Sequence, residues 1–337
     1  MKGRCGALTS REVEACLAAL PRVRLCTFDT PLQRLPRLEK AVGCGPVYLK
    51  RDDLNGVGPG GNKVRPLEYL LGEAMENHCG TVIASGQENS NLCSIAAAAC
   101  CRVGIPCILV HNNHPPEQLA GNILLNKLTG VEERYIGPVT EPERDQYVQA
   151  LARELEAEGR APYVIENGAT TVHGAVGYVN LLLELERCRE SQPVRDLFVP
   201  GGNGGIAAGA VFGAALLGGQ IHVHVITVEH TKRELEEILT NLLQGLKEYT
   251  GRKPEVPFDS CMTIYEQYRG DGWGISTPES DRMVEQMAQW EGIFLERIYT
   301  SKTAWGMCDL LRQGVVQSTG ACLLHSGGFG SLFYQYR

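Results

Sequence analysis

Lys63 stands in the stretch VYLKRDDLNGVGPGGNKVRPLEYL, residues 47–70, between a loop with four glycines and a run of helical character. The amino end of a helix carries partial positive charge, which disfavours an ammonium and makes the neutral amine more accessible. A neutral lysine amine is what Schiff-base chemistry requires. Taken alone, the residue also reads as a solvated lysine beside an ordinary turn.

A second group with chemical capacity is Gly201-Gly202-Asn203-Gly204-Gly205, set between the apolar run 197–200 and a helix of small residues. Such a loop offers unobstructed backbone N–H groups at a helix amino end, which suits a phosphate. A dinucleotide fingerprint fits less well, since the third glycine is out of place and the acidic candidate, Glu229, comes late. A structural glycine turn stays open. A polar loop at 85–91 (SGQENSN) sits between a strand-like run and an alanine-rich helix. The segments 167–171 (NGATT), 299–302 (YTSK) and 325–328 (HSGG) have similar placements. Open α/β sheets place ligands at the carboxyl ends of their strands, so these loops imply one shared cleft. A lysine at a helix start, a phosphate cradle and several hydroxyl or amide loops together describe pyridoxal phosphate held on that lysine.

The elements that must position these loops follow from the apolar pattern. Buried strands are expected at 47–50, 81–85, 106–113, 132–136, 163–167, 197–200, 220–230, 293–299 and 321–328. Helices are expected at 9–20, 91–104, 115–130, 141–158, 174–188, 205–218, 234–249, 280–291 and 304–312, with 251–280 rich in loops. Alternation of this kind implies parallel sheets flanked by helices. A length of 337 residues with 43% hydrophobic content suits two compact units, and a composition shift near residue 165 marks a crossing between them.

Composition narrows the partners. A net charge of -7 argues against a nucleic-acid binder. No run approaches the roughly 18 apolar residues of a membrane span, and Met1-Lys2-Gly3-Arg4-Cys5 lacks a signal peptide's apolar stretch, so a cytoplasmic protein is expected. The 13 cysteines are odd in number, irregularly spaced and without a C-x-x-C pair, which fits reduced, buried thiols rather than disulfides, zinc or a redox motif. No metal is expected.

The segment KRDDLNG…GGNKVRPLEYLLGEA (50–74) resembles the lysine motif of the pyridoxal-phosphate enzymes grouped as 1-aminocyclopropane-1-carboxylate (ACC) deaminase and D-cysteine desulfhydrase. GNILLNKLTG (121–130), GAVGYV (174–179), PGGNGGIAAG (200–209), EGIFLERIYTSKTAWGM (291–307) and LLHSGG (323–328) look like further landmarks of that family, in its order and spacing. The resemblance covers about residues 25–335. It implies the two-domain, tryptophan-synthase-beta-like α/β architecture of fold type II, with a smaller unit at 49–164, a larger one from 1–48 plus 165–337, and the cofactor between them. A small amino-acid substrate and a homodimer are implied likewise.

Carried onto this chain, the resemblance makes Lys63 the cofactor-holding residue and the carrier of the alpha proton, with Asn62 beside it. Gly202, Asn203, Gly204, Gly205 and Ile206 fall on the phosphate loop, Ile206 standing where the family usually has a hydroxyl residue. Thr300 falls where a residue facing the pyridine nitrogen is expected, and Tyr299 matches a family tyrosine able to stack or act in acid–base work. The family's Gln-Ser-Asn run, whose serine assists catalysis and substrate binding, matches Glu88-Asn89-Ser90 without a gap, or Ser90-Asn91 after a one-residue slide, so Ser90 is a catalytic candidate and Asn89, Ser90 and Asn91 are all candidates to meet cofactor or substrate. Trp273 replaces a tyrosine that lies over the site, and tryptophan has no phenol to exchange a proton. The implied reaction is alpha-proton removal and beta-elimination to pyruvate and ammonia, with D-cysteine first, then cysteate or another beta-substituted alanine. Racemisation, beta-replacement, ACC deamination and a non-catalytic amino-acid-binding role on the same scaffold are the alternatives.

Overall fold

A computed structural model describes residues 7–336. The amino-terminal stretch read above for a signal peptide lies outside them. Ten strands are present among the described residues: β1 Leu32–Arg34, β2 Val47–Lys50, β3 Thr81–Gln87, β4 Cys107–Asn112, β5 Glu132–Tyr135, β6 Pro162–Ile165, β7 Asp196–Gly201, β8 His222–Thr227, β9 Met262–Tyr265 and β10 Ala321–Leu324. They form two sheets, ordered β1-β2-β10-β7-β8-β9 and β5-β4-β3-β6. Every pairing is parallel except β1 with β2. Parallel strands are buried on both faces, and the apolar runs of β2, β7 and β10 follow from that.

The helices expected from periodicity are largely present, and their ends have local causes. Thr140 and Glu143 form a capping box at the start of helix Glu141–Ala157. The helix Gly205–Leu216 is apolar on every side and almost wholly buried, as a helix enclosed by a sheet and other helices must be. Its Gly209 lies so close to a neighbouring turn that a Cβ there would stand 2.1 Å from the Ala175 carbonyl oxygen.

Several expectations are corrected. The strand expected at 293–299 does not form. The Glu296 carboxylate instead accepts the N–H groups of Ile298, Tyr299 and Thr300 at 2.6–2.7 Å, curling the chain into a helix that runs Thr300–Arg312. The helix expected from 115 begins at Gly121, after Pro115 and Pro116. The helix expected at 174–188 is a short helix Val172–Ala175, a turn of 3-10 helix, then Val179–Arg187. The region 251–280 contains β9, and a helix Phe329–Gln335 follows the last strand. The expected boundary at residue 49 cuts through β2, which sheet membership keeps whole with the six-stranded sheet. The cysteines among the described residues are free thiols, and no group of described residues has the makings of a metal site. No described helix is long and apolar enough to cross a membrane.

Candidate active site

Residues 60–63 are set by backbone contact. The Asn62 N–H donates to the Ser326 carbonyl at 2.9 Å, and Gly61 pairs with Gly327 as an isolated antiparallel bridge. A Cβ on Gly327 would stand 2.5 Å from the Gly61 Cα, so glycine is required for this approach. His325 supports the turn: its Nε2 bonds the Phe294 carbonyl at 3.1 Å while Nδ1 accepts the Gly327 N–H. Burial favours the neutral imidazole by pushing its pKa down, against the Asp53 charge and the bond to the Phe294 carbonyl, which pull it up.

Lys63 is the residue immediately before helix Val64–Glu76 and points into a cavity of about 610 Å³. Its Nζ donates to the Gly168 carbonyl oxygen. Removal from water lowers its pKa to about 8, partly opposed by the negative charge of Glu229. Glu229 lines the same cavity, and its own pKa is raised, chiefly by burial. A helix-start lysine whose amine is neutral in roughly a tenth of molecules at pH 7, far more than an ordinary lysine, can attack a carbonyl.

The glycine loop follows β7 and opens helix Gly205–Leu216, whose first N–H groups have no partner within the helix. Gly204 takes φ +87°, where a side chain would be strained and its Cβ would stand 2.9 Å from Ile238 Cγ2. A Cβ on Gly202 would come within 3.4 Å of the Tyr299 ring, and one on Gly205 would meet Thr170 Oγ1 at 3.4 Å. The loop therefore forms a cradle that side chains would fill, with backbone donors and a hydroxyl beside it. Asn203 packs against Gly168, the residue that accepts from Lys63. Donors of this kind fit a phosphate, and the lysine fits the aldehyde of pyridoxal phosphate.

Gly202, Asn203, Gly204, Gly205, Ile206, Asn62, Lys63, Asn89, Ser90, Asn91, Trp273 and Tyr299 all line this one cavity. Thr300 does not join them. It is fully buried, its hydroxyl accepts the Glu296 N–H and lies 3.0 Å from the Glu296 carboxylate, while Glu296 itself reaches the cavity wall. Ser90 caps helix Asn91–Val103, and its Oγ accepts the Cys93 N–H at 3.4 Å. The oxygens of the Asn89 and Asn91 side chains both accept from Asn122, which leaves their amide N–H2 groups to offer. Asn62 donates to the buried Tyr178 hydroxyl at 2.7 Å.

Other residues of the wall had weaker signals in the sequence. Thr170 lies in a polar loop already noted, and Glu229 follows the end of β8, but nothing local marks either as facing Lys63. The C-terminal helix adds Tyr334, whose hydroxyl donates to Glu88, and Gln335, whose backbone oxygen accepts from Arg297. Arg144, buried on helix Glu141–Ala157, also lines the cavity and donates to Asn112 at 3.2 Å.

The model of a family described as pyridoxal-phosphate dependent enzyme matches residues 23–327. A putative 1-aminocyclopropane-1-carboxylate deaminase of Pyrococcus horikoshii is 35% identical, with 96% of each chain covered. A D-cysteine desulfhydrase of Salmonella choleraesuis is 30% identical over 94% of this chain and 97% of its own. The crystal structure of an ACC deaminase homologue, 35% identical, superposes with a TM-score of 0.87 over 96% of both chains. A threonine deaminase at 19% identity and a TM-score of 0.63 shares the fold. With this match and the lysine and glycine loop in one cavity, the chain belongs to the pyridoxal-phosphate dependent enzymes, in the group of the ACC deaminases and D-cysteine desulfhydrases.

Proposed function

We propose that the chain is a carbon–sulfur lyase that removes the alpha proton of D-cysteine and expels its sulfur, giving pyruvate and ammonia, with other beta-substituted alanines as secondary substrates. The observation that carries this reading is the pairing, in one cavity, of a low-pKa lysine with the Tyr299 phenol, whose neighbour is tryptophan rather than tyrosine. One base for the alpha proton and one hydroxyl for the departing group are what beta-elimination asks of a site.

Pyridoxal phosphate supplies, when bound, the electron sink for charge developing at the alpha carbon. Lys63 would hold it, and the Lys63 amine would serve as the base that takes the substrate's alpha proton. The N–H groups at Gly202, Asn203, Gly204, Gly205 and Ile206 hold the phosphate, and Thr170 supplies the hydroxyl that position 206 lacks. Ser90 and the amide groups of Asn89 and Asn91, at the start of helix Asn91–Val103, bind the substrate carboxylate where the helix dipole favours an anion. Glu229 balances the charge of Lys63. The protein divides into two units by sheet membership, with the cavity between them.

The test is a screen of D-cysteine, L-cysteine, cysteate, D-serine and ACC, measuring pyruvate, 2-oxobutyrate and sulfide. Pyruvate and sulfide from D-cysteine, with little 2-oxobutyrate from ACC, are expected. Release of 2-oxobutyrate from ACC at a rate above that of pyruvate from D-cysteine would overturn the assignment. Alpha-hydrogen exchange without keto acid would point to a racemase.

A further inference from the structure

We infer that Trp273 and Lys302 are positioning residues that fix the direction of the hydrogen bond at Tyr299, so that its hydroxyl is presented to the cavity as a donor. The indole Nε1 lies 2.5 Å from the Tyr299 oxygen. An indole nitrogen donates and cannot accept, so this bond runs one way only. Two tyrosines in the same places could exchange roles. With Trp273 the phenol oxygen is held as the acceptor, and no described residue accepts the Tyr299 O–H in turn. That hydrogen is left for whatever occupies the cavity that Tyr299 lines.

The indole needs a reason to stay in place. Trp273 is 40% exposed and sits among Gly270, Gly272 and Gly274, which take φ of +65°, +117° and +80°. Glycines populate such conformations readily, but they also leave many others open, so the loop's own sequence does not hold one path. Lys302 supplies the anchor. It lies on helix Thr300–Arg312, one turn beyond Tyr299, and is fully buried. Its Nζ donates to the Arg269 carbonyl at 2.7 Å and the Gly272 carbonyl at 2.9 Å, the two sides of the loop just before Trp273. No carboxylate among the described residues forms an ion pair with it. Burying an amine without an ion-pair partner is costly unless hydrogen bonds offset it; Glu296 and Asp271 act on this one only through their charge, and its two bonds go to this loop. The helix that begins at the phenol therefore also fixes the residue that orients it.

The inference rests on Tyr299 facing the substrate and deepens the proposed reaction: a hydroxyl held as donor suits a substrate whose departing sulfur takes a hydrogen bond. Its primary readout needs neither substrate nor turnover. The chain has three tryptophans, Trp273, Trp290 and Trp305, so an 15N-labelled sample gives three indole N–H signals, and Trp273→Phe assigns one of them. Tyr299→Phe is expected to shift the Trp273 signal upfield by loss of its acceptor. Lys302→Met is expected to broaden that signal and speed its exchange with solvent about tenfold or more, leaving the Trp290 signal in place as the mark of an intact fold. In the loaded enzyme, Trp273→Phe is expected to lower kcat for D-cysteine about tenfold with KM changed less than about twofold, since a hydrogen bond that orients a reacting group is worth on the order of tenfold. An unmoved Trp273 signal in Tyr299→Phe, or in folded Lys302→Met, overturns the inference. Tyr299→Phe removes a single oxygen and keeps the test decisive if Lys302→Met does not fold. A wild type inactive on D-cysteine, with both signal changes present, overturns the substrate assignment and supports the hydrogen-bond arrangement.

Discussion

Arg65 grips Glu184 with two bonds, Nη1 to Oε1 at 2.7 Å and Nη2 to Oε2 at 2.9 Å, and turns its remaining edge on Asp52. Lys50 adds a 2.6 Å contact to the same glutamate. Arg65 is two residues beyond Lys63, so this buried network fixes the start of the lysine helix to helix Val179–Arg187 and to the end of β2. The Arg65 and Lys50 charges outweigh burial and hold the Glu184 pKa down to about 2.

Breaking that network by Glu184→Gln is expected to destabilise the protein by about 3 kcal/mol, because it removes the carboxylate paired with buried Lys50 and one of the two that hold Arg65. Denaturant unfolding near pH 7 measures it. The sign with pH follows from the lowered pKa: Glu184 contributes its stability fully above its unfolded value near 4.5 and loses it as pH falls towards 2. The gap between wild type and Glu184→Gln should therefore narrow on acidification.

The amine of Lys63 should govern cofactor capture. With its pKa lowered to about 8, the protein freed of cofactor should bind added pyridoxal phosphate faster as pH rises, levelling off above about 8. Glu229 raises that pKa, so Glu229→Gln should move the midpoint to lower pH. Growth of the visible absorbance after mixing reads both. A rate flat from pH 6 to 9 contradicts the assignment.

Thr170 is expected to stand in for the hydroxyl missing at Ile206. Thr170→Val should speed loss of the cofactor about tenfold, the scale of one hydrogen bond to a charged group. Adding Ile206→Thr to Thr170→Val should recover most of it. Absorbance decay on dilution into cofactor-free buffer measures the difference, and an unchanged rate in Thr170→Val removes the role.

What the sequence made legible is what local chemistry dictates. Lys63 and the Gly201–Gly205 run declare themselves because a helix start and a chain of small residues are properties of a few neighbouring positions. The alternation of apolar runs located eight of the ten strands for the same reason, with β1 only an extended passage and β9 hidden in a loop-rich stretch. Position 293–299 misled because its apolar alternation is real, but the carboxylate of Glu296 takes the N–H groups a strand would have needed. The same side chain turns Thr300 into the core. Thr170, Glu229 and Tyr334 meet Lys63's cavity only through the fold, from segments far apart in the chain. At 87–91 Ser90, not Asn89, occupies the helix cap, while Asn89, Ser90 and Asn91 all line the cavity.

The central claim is that Lys63 holds the cofactor. Borohydride reduction of the loaded protein, followed by digestion and mass mapping of the peptides, tests it directly. A stable pyridoxyl addition is expected on the peptide carrying Lys63, and none on that peptide in Lys63→Ala. Addition on Lys50, Lys302 or any other lysine, with Lys63 unmodified, would contradict it.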